Sequence, residues 1–442
     1  MDGWVGAWTG GRAAVHLGNV ADFNAQFFAP GMDAAQRLRR LRQAHHYACL
    51  AVGYSPEPAV LVLPAEVDRE WTDWLARELR WGPVEVHSGV ASDRTLAEAL
   101  AVRPALAASI ADSGRPVVSW GRTAAQGEGP GLAAVHRYES KAAAHGLFAE
   151  LAPAHPGVVL PQQERPGGRR RAARRLTVRA ARGLTTVLKS PHGVGGYGTV
   201  VVEPAELFAA GGGGALLRHL VRSEILPPDG ELLLEEYVDP GPAARLRDLT
   251  YDAVIGPDGT VHPVGAGVME VAGTRYQGVT VGPGTVPHAA AETARGFALA
   301  VGERLAADGY RGWYDVDFVT DRRRRLAPTE INLRLTGPAI AFMLRERLDQ
   351  VRGPGHLVRT MDAMPLGARL APEVLHDHLE RLRPRCARLD VTLLPLIPTA
   401  CHDPEPVVGL ALAGSDGEAL DAAQALVEAA NHALTGMFEA LG

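Results

Sequence analysis

The sequence predicts a mixed α/β and α+β protein in three parts: an N-terminal parallel-sheet domain over residues 1–135, a central domain with two sheet lobes over 136–345, and a C-terminal α+β addition over 346–442. Three observations carry this. Short apolar runs alternate with helix-length amphipathic stretches through the first third. A glycine-rich turn joins two strand patterns within residues 187–204. An acidic hairpin, D-V-D-F followed by E-I-N-L-R, closes the central third.

In the first part AVLVLP (59–64), PVEVHS (83–88) and PVVSWG (116–121) are strand patterns separated by helical stretches such as VDREWTDWLARELR. Strands spaced by helices of this length imply a parallel sheet with right-handed crossovers. No phosphate-binding motif lies here. The 442 residues suffice for two or three domains, and 46% apolar with 21% charged residues is ordinary globular composition. A formal charge of −5 gives no reason to expect a nucleic-acid partner. The basic run over 169–182 is a solvated helix face before it is a site for an acidic substrate. Three cysteines without C-x-x-C spacing suggest neither a disulfide framework nor a zinc site, and so a reduced, cytoplasmic setting. The N-terminus has no leader pattern and no segment is apolar for 18 residues, so a soluble protein without a membrane partner is expected.

The turn Gly193-x-Gly195-x-x-Gly198 matches a dinucleotide-binding fingerprint in its letters. Such a fingerprint needs a helix directly after the glycines, to hold a pyrophosphate at its N-terminus. TVVVE follows instead, and β-branched residues in succession favour a strand. The unit is therefore strand, glycine turn, strand, a hairpin able to fold over a nucleotide and offer backbone N–H groups to its phosphates. A protein kinase would need its lysine after this loop together with HRD and DFG elements, none of which is present. Of the 45 basic residues, 43 are arginine; the two lysines are Lys141, opening a helix capped by Ser140, and Lys189, on the strand entering the glycine hairpin. In so arginine-rich a chain, lysine at these places suggests sites that need a compact ammonium.

Further along, ELLLEEYVDPG is an apolar strand ending in paired acids, and residues 247–270 form a hairpin turning at Pro257-Asp258-Gly259. A helix then leads into RGWYDVDFVTDRRRRLAPTEINLRLTG, two strands joined by a polar turn. Residues two apart on a strand face one side, so Glu330 and Asn332 point together and the hairpin brings Asp317 beside them. Two carboxylates and an amide oxygen suit Mg²⁺, which fills its other positions with water and phosphate oxygens. Arg334 continues that face, where a cation could neutralise a transferring phosphoryl group. In the last hundred residues, helical segments to about Arg388 precede strands DVTLLPLIPTA and PVVGLALAG and a final helix, with His402-Asp403 read as a turn.

A lysine opening a helix, a lysine entering a glycine hairpin, a strand ending in EEYV, and D-x-F followed by E-I-N-x-R together resemble the ATP-grasp superfamily over about residues 140–337. The first part resembles the pre-ATP-grasp domain of those enzymes, and length and domain order most resemble the pheganomycin-type peptide ligases. The resemblance implies ATP and Mg²⁺ as cofactors. It implies that Lys141 and Lys189 hold the α- and β-phosphates under the hairpin of His192, Gly193, Gly195, Gly196, Tyr197 and Gly198. Glu235, with Glu236, Tyr237 and Val238 at the hinge, would read the adenine edge. Asp248 would meet the ribose, with Asp239 as the alternative because PGPAAR interrupts the usual spacing. Asp317, Glu330 and Asn332 would bind the metal, and Arg334 the γ-phosphate and acyl phosphate. Arg275 lies where the superfamily often places another basic residue, or is a surface arginine. The implied reaction joins a carboxylate donor, a nonproteinogenic guanidino amino acid, to the α-amine of a peptide acceptor, releasing ADP and phosphate. Glu270 or Asp315 could meet the guanidinium. A ligase of two free amino acids and a non-catalytic ATP-binding protein are the alternatives, and a homodimer is left open.

Overall fold

The computed structural model describes residues 3–28, 31–193, 197–241, 246–399 and 406–439. Gly195, Gly196, Cys401, His402 and Asp403 lie outside the described residues. Within them the chain builds three sheets.

The first sheet is parallel, in the order β3-β2-β1-β4, from β1 (Ala14–Leu17), β2 (Pro58–Val62), β3 (Glu85–His87) and β4 (Val117–Ser119). Every residue of β2 is buried, as expected of a parallel strand covered on both faces. The short run AVHL of β1 escapes a pattern search, yet it is central in the sheet and wholly or nearly buried. The helix Arg69–Glu78 begins at Asp68, whose carboxylate accepts from the Glu70 N–H at 3.0 Å. Its tryptophans bind this layer to the C-terminal part of the chain: Trp71 and Trp74 donate their indole N–H groups to the carbonyls of Pro395 (2.8 Å) and Leu393 (3.2 Å).

The second sheet, in the order β5-β8-β6-β7, comprises β5 (Gln163–Glu164), β6 (Thr186–Lys189), β7 (Thr199–Val202) and β8 (Leu233–Glu236). β6 and β7 are antiparallel with Lys189 opposite Thr199, so a strand follows the glycine turn. The helix Arg169–Ala181 covers this sheet through Ala172, Leu176 and Ala180 and turns most of its arginines to solvent.

The third sheet has eight strands in the order β13-β12-β9-β10-β11-β14-β16-β15: β9 (Asp248–Ile255), β10 (Val261–Ala272), β11 (Arg275–Val281), β12 (Gly312–Thr320), β13 (Leu326–Asn332), β14 (Leu357–Pro365), β15 (Thr392–Ile397) and β16 (Val407–Gly414). The β9–β10 and β12–β13 hairpins are antiparallel. Two points differ from the sequence reading. The segment expected to be helical up to Arg388 contains β14, a strand whose sequence LVRTMDAMP has no clean alternation. The C-terminal α+β addition also shares this sheet, with β14 hydrogen-bonded to β11 and β16 to β14. Long-range pairing of this kind leaves no local sequence signal. The helix Gly337–Arg352 lies against β11 and β14 and is buried along most of its length.

Candidate functional site

An open cleft of about 1610 Å³ lies where the three sheets approach one another, lined by Tyr47 and Trp120 from the first part, Lys189 and Glu235 from the small sheet, and Asp317 and Glu330 from the large one. On the large sheet, register places Asp317 opposite Glu330, Asp315 opposite Asn332, and Asp315 and Asp317 opposite Asp252 and Thr250. Directly opposed residues of antiparallel strands present side chains to one face. Asp252, Asp315, Asp317, Glu330 and Asn332 therefore crowd a single surface. The Asn332 amide donates to Asp315 Oδ1 at 2.7 Å and Asp317 Oδ2 at 3.2 Å, while Thr336 donates to Asp315 Oδ2 at 2.6 Å. Asp252 accepts from the Trp313 indole at 2.8 Å and the Thr250 hydroxyl at 3.1 Å.

The crowding shows in the acidities. Burial pushes Asp315 up to about 7. Burial, then the neighbouring Asp315, holds Asp317 and Asp252 well above the carboxylate range. Glu330 differs: burial opposes its ionisation, but Lys141, Lys189 and Arg334 together outweigh it and keep its carboxyl below the usual range. Among the described residues no three His, Cys, Asp or Glu side chains form a ready-made metal cluster. Mg²⁺ does not require one, because water and phosphate oxygens complete its shell. The oxygen donors of Asp317, Glu330 and Asn332 fit that ion, and a divalent cation there would offset both the burial and the neighbouring carboxylates that raise the pKa of Asp317.

Both lysines enter the cleft. Lys141, the first residue of the helix Lys141–Leu151, places Nζ 2.5 Å from Glu330 Oε2 and 3.5 Å from the Gly193 carbonyl. Ser140 precedes the helix, but its side chain makes no capping bond; the Lys141 N–H instead donates to the Pro191 carbonyl at 2.8 Å, tying the helix start to the glycine loop. Lys189 Nζ lies 2.7 Å from Glu235 Oε1, each side chain only 5% exposed. Gln163 donates to the other oxygen of Glu235 at 3.0 Å.

The hairpin turn is tight. At Gly193 a Cβ would lie 1.9 Å from the Tyr197 carbonyl oxygen, and at Gly198, where φ is +76°, it would lie 2.0 Å from Ser190 Oγ. Only glycine fits at either place. The turn leans on the first part: the His192 ring stacks on Phe27 at 5.1 Å and the Arg40 guanidinium lies 4.0 Å above the Tyr197 ring. Burial, then Lys141, lowers the pKa of His192 and keeps its imidazole neutral.

The remaining expected residues divide. Glu236, Tyr237, Val238 and Asp248 line the cleft; Asp239 is not among the lining residues and pairs with Arg322 at 2.6 Å on the surface. Arg334 is buried against Glu139 in a close ion pair, with its guanidinium 5.4 Å from the Phe23 ring. Glu139 also accepts the Leu333 N–H at 2.7 Å, so it holds the backbone leading to Arg334 as well as the side chain. Arg275 is exposed at the rim. Glu270 is exposed and not among the lining residues, whereas its neighbours Met269 and Val271 are.

Sequence reasoning missed Glu139, Tyr47 and Asp362. Glu139 sits just before Ser140-Lys141, and its distance of 195 residues from Arg334 conceals the pair. Tyr47 donates its hydroxyl to Asp362 Oδ2 at 2.5 Å across 315 residues of sequence. Burial pushes Asp362 up to about 7, partly offset by the Tyr47 bond. A carboxyl raised in this way stabilises the fold below its unfolded pKa of about 4, and that contribution is lost as pH rises through about 7. In ligand-free protein, the stability of wild type relative to Asp362→Asn should therefore fall between those pH values, as read by denaturant unfolding. A constant difference would show that burial does not control Asp362.

No family model matches this chain, and no curated protein matches it. Solved structures do. Biotin carboxylase from Campylobacter jejuni, as a β,γ-ATP complex, aligns with 91% of this chain and 87% of its own at 13% identity and a TM-score of 0.50. N5-carboxyaminoimidazole synthase from Aspergillus clavatus, with ADP and 5-aminoimidazole ribonucleotide, aligns with 86% of this chain and 99% of its own at 14% identity and a TM-score of 0.50. The Aspergillus clavatus enzyme complexed with ATP gives the same figures, 86%, 99%, 14% and 0.50. At such identities the likeness is one of fold: mixed α/β with several sheet lobes, the ATP-grasp organisation. It extends no particular support to the pheganomycin-type ligases.

Proposed function

We propose that this chain is an ATP-dependent ligase that activates a carboxylate as an acyl phosphate and passes the acyl group to an amine, releasing ADP and phosphate. The observation that carries this reading is the convergence, in one cleft, of both lysines of the chain, a glycine hairpin and an acidic sheet face. Phosphoryl transfer asks the protein mainly for positioning and charge neutralisation. Lys141 and Lys189 hold phosphate oxygens beneath the turn of Gly193 and Gly198. Asp317, Glu330 and Asn332 hold Mg²⁺, which supplies charge neutralisation at the phosphates when bound. Arg334, fixed by Glu139, offers a guanidinium to the transferring phosphoryl group. Glu235 and residues 236–238 face the base, and Asp248 the ribose. The donor carboxylate attacks the γ-phosphorus and ADP leaves; the amine then attacks the acyl carbon, and phosphate departs as the C–N bond forms.

For the substrates, the broader reading is the better supported: an amino acid or related acid as donor, with the amine of an amino acid or peptide as acceptor. A guanidino donor rests on the family resemblance alone. Of the two acids considered for it, Glu270 is exposed off the cleft lining and Asp315 is already engaged by Asn332 and Thr336. Incubation with ATP, Mg²⁺ and pools of acids and amines, with products read by mass, should yield an amide together with ADP. Accumulation of AMP and pyrophosphate would mean adenylation and would overturn the acyl-phosphate mechanism.

A further inference from the structure

The cleft holds a carboxylate that the reaction outlined above leaves unused. Asp362 lies on β14, is 8% exposed, and lines the cleft. Its Oδ2 accepts the Tyr47 hydroxyl, and no described residue hydrogen-bonds to Oδ1. Among the described residues no lysine or arginine pairs with it, in contrast to Glu235 and Glu330 in the same cleft. A buried carboxylate without a cation is costly. One that opens on a substrate cleft is relieved when a ligand brings the positive charge.

Its surroundings suit a small cation. Tyr47 comes from the end of the helix Ala34–Tyr47 and rests edge-on against Trp120 at 5.4 Å. Tyr276, on β11, brings its hydroxyl to 3.5 Å from Thr360 Oγ1, two residues before Asp362. That phenol is held close over the start of the helix Gly337–Arg352, since a Cβ on Gly337 would lie 2.3 Å from its oxygen. Burial, then Asp362, raises the pKa of Tyr276 well above the phenol range, opposed by the Thr360 hydrogen bond, so its hydroxyl stays protonated. The pocket thus offers one open carboxylate oxygen, hydroxyls and aromatic walls, beside Arg334 and Thr336.

We infer that Asp362, held by Tyr47, binds the ammonium group of the acceptor amine and keeps that nitrogen beside the site of acyl-phosphate formation. This rests on the ligase reading and deepens it by assigning the acceptor subsite. The acceptor enters as R–NH₃⁺, and one proton passes to the Asp362 carboxylate. The neutral amine attacks the acyl carbon, a C–N bond forms, the C–O bond to phosphate breaks, and the second proton leaves with phosphate. Three segments distant in sequence, carrying Tyr47, Tyr276 and Asp362, must meet to build the subsite.

Hydroxylamine tests this, because it captures acyl phosphates chemically and needs no amine site. Wild type and Asp362→Asn are each given ATP, Mg²⁺ and the acid pool, once with hydroxylamine and once with an amine pool that includes alaninamide. The ratio of amide to hydroxamate should fall at least tenfold in Asp362→Asn, and a few-fold in Tyr47→Phe, which keeps the proposal testable should the first variant fail to fold. An unchanged ratio in the folded variants overturns the assignment. A parallel fall in both products also overturns it, because the carboxylate would then serve the donor, its own ammonium or guanidinium included. Absence of both hydroxamate and ADP in wild type is a different result, the failure of the ligase reading itself.

Discussion

Asp317→Asn should fold normally and lower turnover by at least about a hundredfold, corresponding to several kcal/mol of lost metal stabilisation. Asp317 is half-buried beside Asp315, Glu330 and Asp252, and burial, then Asp315, raises its pKa, so the ligand-free site favours its neutral form. Asparagine has that neutral shape, and Asn332 remains beside it at hydrogen-bond distance. Ligand-free thermal stability should therefore be kept or slightly increased, while Mg-ATP loses a ligand charge. Glu330→Gln should lower turnover as far but with a stability cost, because it removes the partner from Lys141, whose side chain is 7% exposed. Comparing the melting of both variants with and without Mg-ATP separates the two effects. Near-wild-type turnover in either would remove that residue from the metal set.

The contrast between these two acids was only half legible in the sequence. Alternation and the hairpin spacing bring Asp317, Glu330 and Asn332 to one face, because a period of two and a short turn are local properties. That Glu330 is paired to Lys141 while Asp317 is not depends on a helix docking from 189 residues away (330 − 141), which no local pattern encodes. The same division runs through the fold. The valine run after Gly198 and the paired patterns around Pro257-Asp258-Gly259 announce their strands. The strands β1 and β14 do not, since the first has four residues and the second mixes Arg359, Thr360 and Asp362 into its apolar run. These two strands matter beyond their length: β1 is central in the first sheet, and β14 carries Asp362 to the cleft. The surroundings of Asp362 were therefore the least legible part of the cleft, being assembled from contacts across hundreds of residues.

Lys189→Arg should leave the protein folded, abolish the stabilisation that Mg-ATP gives, and lower turnover at least about tenfold, roughly 1.4 kcal/mol or more. Arginine serves at 43 other positions of this chain, so a silent substitution would be the natural outcome for a solvated cation. Lys189 is not solvated: its ammonium and Glu235 lie 2.7 Å apart, each 5% exposed, with the Thr329 carbonyl at 3.5 Å from Nζ. Removing the charge altogether would be uninformative, because Glu235 would be left buried and unpaired at a cost of about 3–5 kcal/mol, and the fold could fail for that reason alone. Arginine keeps the charge and the partner. What it changes is shape, since a planar fork replaces a compact ammonium in a space bounded by Glu235 and the floor of the hairpin. Overpacking of this kind costs about 1–3 kcal/mol, which lowers ligand-free melting modestly without unfolding the small sheet, whose valine strand is untouched. The diagnostic quantity is the difference in melting with and without Mg-ATP, because it cancels that overpacking cost. If Lys189→Arg retains both the wild-type difference and wild-type turnover, Lys189 does not meet the phosphates, and the turn of Gly193 and Gly198 closes over something other than a nucleotide.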